Sequence, residues 1–142
     1  MPLLLLLFMI PLTMLADLRG IQAEPNLEKR SELALAHADD LIDEARKAYK
    51  DSDEKAFNGA IIEVRESVEL SHKSLDETGK AARRNPKYFK RAELKMRSII
   101  RRLDNLEKEV GLEDRPPVQD ALKRVHEIHD EILLNIMTQK HK

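Results

Sequence analysis

The chain has 142 residues, 25 Lys+Arg against 26 Asp+Glu, and neither Cys nor Trp. That length suits one domain. Without Cys there is no disulfide framework, thiol nucleophile or zinc finger. Four Gly and 4% aromatics disfavour phosphate-cradling loops and β-rich cores, and a net charge of −1 gives no overall pull toward nucleic acid.

The first element is apolar. Leu3 to Leu15 is interrupted only by Pro11 and Thr13. Its 13 residues fall short of the roughly 20 that span a bilayer, and match the apolar region of a signal peptide. Residues 1–23 are therefore expected to be a leader removed on export, with Ala23 before the cut and Ala16 as a second position. Met1-Pro2 lacks the usual positive charge, so the signal is a weak one or the true start lies upstream; an uncleaved anchor and a buried N-terminal helix of a soluble protein are the alternatives. Residues 24–142 then form the working domain, where 49 of 119 residues are charged. Only the pattern of apolar residues separates a folded domain from a disordered one at that composition.

The pattern is helical throughout. Leu27, Ser31, Ala34, Ala38, Leu41, Ala45 and Ala48 follow alternating spacings of four and three over about 26–50, widened by Leu35, Ile42 and Tyr49. Phe57, Ile61, Val64, Val68, Ser71 and Leu75 do the same over about 53–78, with caps offered by Asp51, Ser52 or Asp53 and a stop at Gly79. Phe89, Ala92, Met96, Ile99, Leu103, Leu106 and Val110 form the cleanest stripe, over about 86–110. Asn85 is its expected cap, Pro86 its first residue and Gly111 its stop. Val118, Ala121, Val125, Ile128 and Ile132 mark the last helix, about 116–139, with Leu122, Leu133, Ile136 and Met137 broadening the stripe. Connections of about 2, 7 and 5 residues predict antiparallel neighbours. The expected fold is all-α, an antiparallel up-down-up-down four-helix bundle with coiled-coil-like heptad packing.

The balanced charge conceals an asymmetry. Lys80 to Arg102 holds ten basic residues and one acid, Glu93, so this stretch carries +9 and the remainder −10. Internally, Asp76, Glu77, Glu24, Glu28 and Glu32 are candidate partners at the same end of the bundle. Externally, Arg83, Arg84, Lys87, Lys90 and Arg91 around a helix N-terminus form a candidate anion-binding site. An anionic lipid surface or an acidic polymer fits an exported protein better than nucleic acid does.

Histidine offers a weaker alternative. With the first long helix running up and the fourth down, His37 and His129 fall about level, with His126 and Asp130 nearby, as ligands for a metal or haem. There is no pair of Glu-x-x-His motifs on two helices of the di-iron type. Ser52-Asp53-Glu54-Lys55 matches Ser-x-x-Lys but sits at a helix cap, and no other catalytic motif is present. The sequence reads as a non-enzymatic exported protein, periplasmic or extracellular, with no cofactor and a binding or scaffolding role. A homodimeric or partner-binding coiled coil is the third reading.

Overall fold

The computed structural model describes residues 18–79, 82 and 86–138. It is all-helical: α1 (Leu18–Gln22), α2 (Leu27–Lys50), α3 (Glu54–Glu77), α4 (Pro86–Glu109) and α5 (Arg115–Thr138), with a 3-10 turn at Leu112–Asp114. The four long helices each have 24 residues, about 36 Å at 1.5 Å rise per residue. No described helix is long and apolar enough to cross a membrane.

Local chemistry sets most helix ends. The Asn26 side chain accepts the Lys29 N–H at 2.9 Å, and Asp53 accepts the Ala56 N–H at 3.0 Å. Of the three caps the sequence offered to α3, Asp53 is used because Ser52 turns the chain with φ +55°. Gly79 ends α3 with φ +64°, a conformation that favours glycine. Gly111 departs from expectation. Its φ is −64°, so it is no left-handed cap; its N–H donates to the Tyr49 hydroxyl at 2.9 Å and it opens the 3-10 turn. The expected Asn85 cap lies outside the described residues.

The heptad stripes form one core. Phe57, Ile61, Val64, Val68, Met96, Ile99, Leu103, Leu106, Ile128 and Ile132 are all at most 1% exposed. Ala34, Ala38 and Ala45 leave α2 thin on that side, and Ala60, Ser67, Ser71 and Ser74 do the same for α3. The two backbones can therefore approach closely, and α2–α3 is the most extensive helix contact. The buried hydroxyls are satisfied: Ser31 and Ser71 hydrogen-bond across the interface at 2.7 Å, while Ser67 and Ser74 each donate to a carbonyl one turn back.

The neighbours around the core differ from those of the simplest bundle. α2 packs on α3 and α4, and α5 packs on α3 and α4; α3 and α4 meet only marginally, and α2 and α5 do not meet. Cross-helix pairs give the directions. Arg91–Glu32, Lys95–Asp39 and Arg46–Glu109 ascend together, so α2 and α4 are parallel. Arg65–Asp120, Arg124–Glu69 and His72–Glu131 make α3 and α5 parallel as well. Chain-consecutive α3 and α4 thus lie across a diagonal, although their connection was expected to make them neighbours. The eight residues joining them can reach about 26 Å, ample for a diagonal, and the acidic face of α2 draws the basic face of α4 beside it.

The sequence places residues 18–22 in the leader. Here they form α1, which packs on α2 and α3 with Leu18 and Ile21 buried.

Candidate functional site

The basic run on α4 divides into paired and unpaired cations. Arg91 meets Glu32 of α2 at 3.0 Å and Lys95 meets Asp39 at 2.9 Å. Arg102 reaches the Asp39 carbonyl at 2.7 Å and both the Asp39 and Asp43 carboxylates. Burial alone would raise the Asp39 carboxyl, but hydrogen bonds from Lys95 and Arg102 outweigh it and hold the group below its ordinary range. Burial likewise opposes the Arg102 charge, yet its bonds to Asp39 leave it held more strongly than usual.

These pairs are mostly not the ones the sequence suggested. Glu32 does meet an α4 cation, Arg91, as predicted. Asp76 faces His72 instead, and Glu77 faces Arg30 and Lys73. Glu24 lies 3.9 Å from Lys29 at the start of α2. The principal partners are Asp39 and Asp43, on the polar face of α2; nothing in a single helix shows which neighbour comes alongside such a face.

Of the candidate anion-binding residues, Arg83 and Arg84 lie outside the described residues. Arg91 is engaged by Glu32. Lys87 and Lys90 are exposed at the first turn of α4 and meet no acid among the described residues; the Lys87 ammonium lies 5.8 Å from the centre of the Tyr88 ring. Leu134 and Met137 are exposed near the end of α5, which runs antiparallel to α4 and so finishes beside its start; Met137, expected in the apolar stripe, lies beyond the last turn that the neighbouring helices cover. A cleft of about 190 Å³ opens between the first turns of α2 and α4, floored by Leu35, Leu75 and Ala92 and edged by Arg91.

Glu93, a lone acid in the sequence, is the most consequential polar residue in the core. It is 6% exposed and accepts hydrogen bonds from Arg97 and from His129, the latter at 3.0 Å. Burial pushes its carboxyl up, but the His129 and Arg97 bonds dominate and lower it below the usual range. A charged residue inside an apolar stripe was the available signal: Glu93 sits directly after Ala92, three before Met96.

The structure does not bring the proposed metal ligands together. His37 lies on α2 with Nε2 3.5 Å from Glu63 of α3 and no hydrogen-bond partner. His129 faces Glu93 of α4, with its Nδ1 3.6 Å from Asp130. His126 is exposed. The two histidines were expected to pair across adjacent helices, but α2 and α5 are diagonal, and the core fills the space between them. No group of three or more His, Asp or Glu able to hold a metal occurs among the described residues. The single Glu-x-x-His spacing, Glu69 to His72, is divided between Arg124 and the acids Asp76 and Glu131. Ser52 of the Ser-x-x-Lys match lies in the α2–α3 turn. Comparison with protein families, with curated proteins and with solved structures finds no match for this chain.

Proposed function

We propose that this is an exported, non-enzymatic four-helix bundle of up-down-up-down chain direction that binds an anionic lipid surface through the end where α4 begins. The observation that carries the reading is the division of the basic run. Arg91, Lys95, Arg97 and Arg102 are neutralised within the fold, whereas Arg101 in mid-helix and Lys87 and Lys90 at the first turn are exposed without an acidic partner among the described residues. By sequence, Lys80, Arg83 and Arg84 add three more cations just before them.

Exposed Leu134 and Met137 at the same end favour a lipid surface over an acidic polymer, because apolar side chains gain little from a polymer and can enter the head-group boundary. Each cation close to an anionic membrane contributes about 1 kcal/mol, and the attraction falls off within a Debye length. Lys87 and Lys90 alone give a weak, salt-sensitive attachment, suited to a protein held at a surface and not inserted into it.

The test is co-sedimentation with vesicles. Binding is expected to anionic vesicles at low salt, to fall at high salt, and to be absent from zwitterionic vesicles. The double substitution Lys87→Glu and Lys90→Glu should abolish it without unfolding the protein, since neither side chain is buried. Equal binding to both vesicle types, or none at low salt, refutes the reading.

A further inference from the structure

We infer that α1 belongs to the mature folded protein, so that any removal of the apolar leader leaves residues 18–23 in place. The inference takes the export reading above as its setting. A cut at Ala23–Glu24, the site the sequence first suggests, would discard a helix that the fold uses.

Leu18 and Ile21, three apart, project from one face of α1 and are 8% and 5% exposed. That face rests on α2 and α3, at the end where α2 begins and α3 finishes. Removing α1 would strip two large apolar side chains from the structure and open the surface beneath them to water.

The junction is also built as a turn. The Ala23 N–H donates to the Arg19 carbonyl at 3.2 Å and the Glu24 N–H to the Ile21 carbonyl at 3.0 Å. Glu24 then ties the turn to α2: its carbonyl accepts from Arg30 Nε at 2.9 Å and its carboxylate accepts the Asn26 N–H at 3.3 Å. Pro25 keeps α1 and α2 from merging into one helix. A cut before Glu24 would break both turn hydrogen bonds. It would also leave a positive α-amino group two residues before the cap of α2, next to the positive pole of that helix, where cations are disfavoured. The small residue the sequence offers upstream is Ala16, which would leave α1 whole.

The experiment expresses the full chain in a bacterial host and measures the intact mass of the protein in its exported and cytosolic fractions. A mass that includes residues 18–23 supports the inference, and a mass beginning at Glu24 overturns it. The fraction in which the protein is found judges the export reading separately. Independently, Leu18→Ala with Ile21→Ala in the full chain should raise the equilibrium constant for unfolding by at least ~10-fold in denaturant. An unchanged constant would show that α1 adds nothing to the fold and would also overturn the inference.

Discussion

Replacing His129 by Ala should cost about 1–3 kcal/mol of stability, whereas replacing Glu93 by Leu should cost less than about 1. Both changes break the same contact, and the asymmetry follows from what each leaves behind. His129→Ala leaves the Glu93 carboxylate in the core, still charged, with Arg97 as its remaining partner. Arg97 is more than half exposed, so water screens much of its attraction. Glu93→Leu instead puts an apolar side chain of similar size into a site beside Ala92 and Met96, and leaves His129 with access to Asp130 and to solvent. The double variant should lie close to Glu93→Leu alone.

Urea denaturation followed by circular dichroism at neutral pH measures all three, and a shift of 1 kcal/mol corresponds to about 3–5 °C in Tm at this size. Acid adds a second arm. Because the folded Glu93 carboxyl is lowered below its unfolded value, its stabilisation is complete above that value, near 4.5, and is lost as pH falls through the lower folded one. Wild type should therefore lose more stability than Glu93→Leu on acidification below about pH 4.5. If Glu93→Leu proves as costly as His129→Ala, or wild type and Glu93→Leu respond to acid alike, an uncompensated buried carboxylate is not what makes the loss of His129 costly and the reasoning fails.

Further outcomes can be stated more briefly. Arg102→Ala should destabilise by about 1–2 kcal/mol in thermal melts, because two acids of α2 lose a shared cation, and lowered Asp39 makes that effect fade in acid. Leu103→Ala, at 0% exposure, should cost about 2–5 kcal/mol in denaturant titrations. Ser52→Gly should stabilise by a few tenths to about 1 kcal/mol in the same assay, since Ser52 holds φ +55°.

How much was legible in advance follows the range of each interaction. Asp53 caps α3 and Gly79 stops it, both through local effects within a single turn. Gly111 failed as a cap for the opposite reason: its position is fixed by Tyr49, 62 residues away in sequence. Leu18 and Ile21 were hidden by composition, because two apolar residues beside an apolar run read as its continuation. The candidate cations were visible by type, but their division into engaged Arg91 and unengaged Lys87 and Lys90 depended on which helix carried Glu32 past them. His37 and His129 were placed about level along the axis, and their separation lies in the lateral arrangement.

The sequence by itself determined four long helices and the side of each that is buried, because periodicity and capping act within one or two turns. Only the tertiary structure decided that α4 lies beside α2 and α5 beside α3. A heptad stripe presents much the same apolar face to any partner, and the eight-residue link after α3 reaches an adjacent or a diagonal position alike. The choice then falls to contacts between distant residues, with Arg91, Lys95 and Arg102 set against Glu32, Asp39 and Asp43. That choice also decides which cations are neutralised within the fold and which remain exposed at the first turn of α4.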